Sequence, residues 1–198
     1  MTITTTFRKC HEVDACIDSY KKMAKALGGI TKYGRNTDTP VLKVLEVLGL
    51  EDALWVLGEA CGKQGKTIAR LWGADCAAHV LHFFENKYPN DNHPREAIIA
   101  TRAFTRGEID YAAWNAARAA AWDAARDAAG NAAWAAARAA ARAAAEAAAQ
   151  AAARAAARAA AFDAAWDAER EWQTERLKLY LTSDDLPIEL PLPTKEAA

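Results

Sequence analysis

Apolar side chains recur at helical spacing through the first half of the chain, and no period-two alternation there is long enough to specify a strand. Cys10, Val13, Cys16, Ile17, Tyr20, Met23 and Leu27 share one broad face, which predicts a first helix from near Phe7 to Leu27, ended by Gly28-Gly29. A polar loop from Ile30 to Asp38 follows. Thr39-Pro40 then reads as the N-cap and first-turn proline of a short buried helix carrying Val41, Leu42, Val44, Leu45, Val47 and Leu48, stopped at Gly49. A further helix over about Asp52 to Ala60 carries Leu54, Trp55 and Leu57. Gly62 and Gly65 break the chain before a longer helix from Lys66 to about Lys87, with Ile68, Leu71, Trp72, Cys76, Val80, Leu81 and Phe84. Pro89-Asn90-Asp91 forms a turn, and His93-Pro94 opens a helix with Ile98, Ile99, Ala103 and Phe104 that ends at Gly107.

The pattern then changes. From Ala112 to Ala168 alanine dominates, and it is the best helix former. Large residues return every fourth position: Trp114, Arg118, Trp122, Arg126, then Gly130, then Trp134, Arg138, Arg142, Glu146, Gln150, Arg154, Arg158, Phe162, Trp166 and Arg170. A helix turns about 100° per residue, so a step of four overshoots one turn by about 40°. The large residues therefore drift around the helix and must meet several neighbours. Gly130-Asn131 is the evident break, a helix-ending glycine followed by an asparagine cap. Unbroken from Asn131 to Leu181, the next helix would run about 75 Å, which predicts a further bend or an oligomer built along it. Small faces let helix axes approach closely, while each alanine buries little area. The aromatic residues Trp114, Trp122, Trp134, Phe162 and Trp166 then supply the anchoring.

These patterns predict an all-α fold: a multi-helix bundle with closely packed, alanine-rich C-terminal helices. Residues 1–107 form a helical N-terminal region. Residues 108–181 form the alanine-rich array, packed with it as one domain. Residues 182–198 form an extended tail, because Pro187, Pro191 and Pro193 forbid helix. The tail reads either as a segment laid along the bundle or as a docking peptide.

Composition adds exclusions. The formal net charge is −1 and the pI about 6.4, which removes any whole-protein attraction to nucleic acid or to an anionic membrane. No apolar run reaches membrane-spanning length, and the threonine-rich start lacks a secretory core. The expectation is a cytoplasmic protein, with Cys10, Cys16, Cys61 and Cys76 reduced and mostly buried.

Candidate chemistry is sparse. Gly62-Lys63-Gln64-Gly65-Lys66-Thr67 lacks the first glycine of a phosphate loop, since position 60 is alanine, and it lacks a preceding strand. Lys66 and Thr67 at a helix start could still hold an anion through free amides. Cys76, His79 and His82 fan across about 120° of one helix, so no metal site is expected. Asp52, Asp75, Asp91 and Glu96 read as caps, first-turn charges or salt-bridge partners. No catalytic residues and no cofactor are assigned. The arginines stand out against alanine, and tryptophans beside them could stack on a base or a planar cation. Asp123, Asp127, Asp163 and Asp167 offer intramolecular partners instead. The candidate ligand- or partner-binding residues are Arg118, Trp122, Arg126, Trp134, Arg138 and Arg142.

Three stretches carry a family resemblance: Asp52-Ala53-Leu54-Trp55, Arg70 through Leu81, and Tyr88-Pro89-Asn90-Asp91 with Pro94-Arg95-Glu96-Ala97-Ile98. Together with the Arg/Trp-punctuated alanine repeat after Gly107, they resemble the Imm5-like immunity protein family of bacteria and phages. The resemblance spans roughly residues 50 to 175. It implies a non-catalytic inhibitor that neutralises a protein toxin or an immune effector by binding, as an immunity or anti-defence protein. The alternative is a phage-type sponge that sequesters a nucleotide-derived immune signal in a Trp/Arg pocket of the helical array.

Overall fold

The computed structural model describes residues 2–127, 163–183 and 189–194, with helical residues 122–127 and 163–166 described as backbone alone. Among the described residues there are nine helices and one two-stranded sheet, so the chain is all-α. None of these helices is long and apolar enough to cross a membrane. The chain divides into two units: Met1–Ile68 with Leu177–Leu186, and Ala69–Arg176 with Pro187–Ala198.

In unit 1, β1 (Thr4–Thr5) pairs antiparallel with β2 (Thr39–Pro40), Thr4 opposite Pro40 and Thr5 opposite Thr39. Thr39-Pro40 is therefore strand rather than helix start, and the next helix begins one residue later, with Pro40 at its cap. The first predicted helix is two. α1 (Phe7–Glu12) is capped by the Thr6 hydroxyl, which accepts from the Lys9 amide at 3.1 Å. Asp14 then adopts φ 55°, a left-handed conformation that ends the run, and α2 (Ile17–Ala26) starts afresh. The expected loop after Gly29 contains a single turn of helix, α3 (Ile30–Tyr33). Phe7 is buried and meets the Tyr20 and Tyr33 rings edge-on at 5.1 and 6.1 Å.

α4 (Val41–Leu48) packs against α2 and against α5 (Leu50–Glu59). Gly49 joins α4 to α5 at φ 96°, which only glycine adopts without strain. Val41, Ala53, Leu57 and Ile68 are among the most deeply buried side chains of this unit. α6 (Gly62–Glu85) starts four residues earlier than its glycines suggest. Gly65 does not break it. A Cβ at that position would run into the Leu57 carbonyl oxygen and the Cys61 Cβ, so glycine is there to let the helix pass.

Unit 2 contains the rest of α6 with α7 (His93–Arg106), α8 (Tyr111–Asp127) and most of α9 (Asp163–Thr182). The turn before α7 is set by Asp91, whose carboxylate accepts the His93 amide at 3.0 Å, and Pro94 sits in the first turn. Gly107 closes α7 in the left-handed conformation, and the Glu108 amide returns to the Ala103 carbonyl. Asp110 then caps α8 through the Ala113 amide at 2.8 Å. α7 packs on α8, with Ala97 and Ala121 fully buried against each other, as small faces allow.

Candidate functional site

Unit 2 buries an unusual number of charged groups. Asp75 on α6 has no exposed surface, and Glu85, Arg102 and Glu169 are all more than nine-tenths buried. A carboxylate taken out of water must be paired. Asp75 Oδ1 accepts from Arg102 Nη2 at 2.9 Å, and its Oδ2 accepts from Arg176 Nε and Nη2 at 2.8 and 2.6 Å. Oδ1 also accepts the backbone amide of Leu190 at 2.9 Å. One buried acid thus gathers α6, α7, α9 and the extended residues 189–194.

The same residues are held along their length. Arg102 Nη2 donates to the Leu190 carbonyl at 2.6 Å. Arg95 grips Glu85 with two hydrogen bonds of 2.6 and 2.7 Å and donates to the Pro193 carbonyl at 2.6 Å. Arg106 Nη1 reaches Glu189 at 2.5 Å and Arg106 Nε reaches Glu108 at 2.6 Å. The hydrogen bond from Arg106 holds the Glu108 carboxyl below its ordinary pKa. Leu190 and Leu192 lie on a floor of Ala74, Ala77, Ala78, Leu81 and Ile98. Alanines on α6 make that floor shallow enough to take an extended chain. One donor is left over: Arg102 Nε is buried without a hydrogen-bond partner, and Glu189 Oε2 stands 3.8 Å away.

A second cluster joins α6 to α9. His79 stacks on Trp172 with ring centroids 4.0 Å apart and planes within 9°. Its Nε2 lies 3.2 Å from Glu169 Oε2, and Glu169 Oε1 accepts from Gln173 Nε2 at 2.9 Å. Trp72, wholly buried, donates to the Gln173 carbonyl at 2.9 Å. Cys76 is buried nearby. Burial, then the charges of Glu169 and Asp75, push its thiol pKa well up, which makes it a poor nucleophile. Cys76, His79 and His82 do not come together as ligands, and among the described residues no group of three potential ligands could hold a metal.

The third cluster carries the described part of the Arg/Trp repeat. Trp114 is buried, stacks on Phe104 at 4.8 Å, and donates to the Thr101 hydroxyl at 3.3 Å. The Arg70 guanidinium lies 5.3 Å from the Phe104 ring centroid and 5.5 Å from that of Trp114. Arg118 lies 6.0 Å from the Trp114 ring and donates to Asn115 at 2.8 Å, while its Nε is buried without a hydrogen-bond partner. Of the other candidate binding residues, Trp122 and Arg126 fall on α8 where the backbone alone is described. Trp134, Arg138 and Arg142 lie outside the described residues.

Other expectations need correction. Lys66 and Thr67 are in the second turn of α6, where Thr67 bonds back to the Lys63 carbonyl at 3.1 Å, so they offer no helix-start amides to an anion. The cysteines are free, but only Cys76 is buried. Cys10 and Cys61 are intermediate and Cys16 is exposed. At the start of α2, the Ser19 amide and then the Asp18 amide lower the Cys16 pKa. Sequence alone assigns no role in a site to Arg95, Arg102, Arg176 or Glu189. The available signal was an acid on the apolar face of one helix and an arginine on that of another.

A family model described as "Imm-5 like putative immunity protein" matches residues 59–180. No curated protein and no solved structure matches the chain. The matched segment covers well over half of the 198 residues and takes in α6, α7, α8 and nearly all of α9, the helices that carry all three clusters. On that match the chain belongs to the Imm-5 like immunity protein family.

Proposed function

We propose that the chain is a non-catalytic inhibitor that binds and neutralises a partner protein, a toxin or an immune effector, in the cytoplasm of a bacterial host. The observation that carries this reading is the family match over residues 59–180. The chemistry of the clusters supports it. The buried acids and arginines of unit 2 are engaged with one another and with backbone groups, which positions helices rather than activating a nucleophile. The residues we assign to the partner contact are Arg118, Trp122, Arg126, Trp134, Arg138 and Arg142. Arg118 supports that choice through a guanidinium set on an aromatic ring.

The test is affinity purification of the tagged full chain from its native host, followed by co-expression of each captured protein with and without it. One captured protein should be toxic alone and tolerated in complex with the chain. Replacing Arg118, Arg126 and Arg138 together by alanine should weaken that complex about tenfold or more with helix content unchanged. If no captured protein has its toxicity relieved, the reading fails.

A further inference from the structure

Residues 189–194 sit on unit 2 the way a bound peptide sits on a receptor. Three of the contacts are to main chain: Arg102 and Arg95 donate to the Leu190 and Pro193 carbonyls, and Asp75 accepts the Leu190 amide. Such contacts do not depend on which side chains the segment carries. Pro191 and Pro193 have no N–H to satisfy, and they favour an extended backbone at low entropic cost. The side chains supply a short code: an acid at Arg106, then aliphatic residues on the alanine floor.

The occupant fits imperfectly. Leu190 and Leu192 are only partly buried on that floor. The cradle's Arg102 is 6% exposed, yet its Nε makes no hydrogen bond, and the acid of the segment stops 3.8 Å short of it. A buried guanidinium N–H without an acceptor is costly. A segment whose carboxylate came closer would gain a charge-assisted hydrogen bond that Glu189 does not make.

We infer that the cradle formed by α6 and α7 is a peptide-docking site, held by the chain's own residues 189–194 and opened in trans to a partner protein's extended segment: an acidic residue followed by aliphatic residues and prolines. The inference rests on reading the chain as a protein-binding protein, but its test uses no toxin. The tethered segment competes at an effective concentration of about millimolar, so an incoming ligand binds measurably once the tether is weakened.

The probe is a fluorescent peptide with the sequence of residues 187–194, titrated into the full chain and into full-length L190D/L192D. The variant should bind the probe about tenfold or more tighter than the wild type. A probe with Glu189→Arg should bind the variant about fivefold or more weaker, and R106E added to L190D/L192D should reverse that preference. A folded L190D/L192D that binds no probe, or a preference that R106E leaves unchanged, overturns the inference. A wild type that instead forms dimers abolished by L190D/L192D would assign the cradle to the tail of a second copy and overturn the choice of partner. If L190D/L192D fails to fold, hydrogen exchange on the wild type decides. The Leu190 amide should exchange about a hundredfold or more faster than that of Leu81, and equal rates would show that the segment leaves only on global unfolding.

Discussion

The two units solve burial in different ways. Unit 1 is closed by apolar side chains such as Phe7, Val41, Leu45 and Leu57, and its buried polar groups are threonines with near neighbours. Thr6 caps its own helix, Thr39 lies 3.3 Å from the Tyr33 hydroxyl, and Thr5 donates to the Ala60 carbonyl at 3.4 Å. Unit 2 has apolar anchors in Trp72, Phe84 and Trp114, but its contact faces are alanine and its buried polar groups include Asp75, Glu85, Arg102 and Glu169. Smooth alanine faces carry few knobs to fix how far one helix slides along another. Ion pairs have direction and length, so in unit 2 they set the register that side-chain shape sets in unit 1.

The largest expected effect comes from breaking that register. Asp75→Ala removes the acceptor shared by two guanidinium groups and the Leu190 amide, and removal of one partner from a buried pair costs about 3–5 kcal/mol. Urea unfolding with amide exchange read at Ile98 and Ala103 should show the loss. A cost under about 1 kcal/mol would mean the pairs are incidental and alanine packing suffices.

The matching change in unit 1 is Gly65→Ala. Helix propensity alone would favour alanine by about 1 kcal/mol. Here the obstacle is the Leu57 backbone, which cannot rotate aside, so overpacking of about 1–3 kcal/mol should win. A thermal melt that rises instead would show that the approach of α6 to α5 is slack.

The dependence on pH sharpens the contrast further. Burial, then the nearby Cys10, pushes the Cys61 thiol up to about 12. The folded chain holds this proton longer than the unfolded one. Its contribution is intact below the unfolded pKa near 9 and is lost as pH rises toward 12. Wild-type stability should therefore fall relative to Cys61→Ala by up to about 1.4 kcal/mol per pH unit above that point. Parallel melting curves for the two proteins between pH 8 and about 11 would refute it.

Much of the helix order was legible because caps and stops are local chemistry. Gly49 and Gly107 mark ends in sequence and take positive φ in the structure. The break at Asp14 was hidden, since the apolar period runs unchanged through Val13 to Ile17 across a left-handed residue that is not glycine. Gly65 misled for the opposite reason: its missing Cβ serves a neighbour in space, not the local chain. For Asp75 the sequence leaves a cap, a first-turn charge or a salt-bridge partner open, and does not say which residues it pairs with. Arg176 lies 101 residues away and Leu190 115 away, and no periodicity reports separations of that size.

Those separations set a clock on synthesis. At about 5–20 residues per second, the ribosome delivers Leu190 roughly 6–23 s after Asp75. Until then Asp75 lacks the Leu190 amide, and the floor of Ala74, Ala77 and Ala78 lacks the leucines that lie on it. Nascent unit 2 is therefore open to chaperones and proteases for on the order of ten seconds.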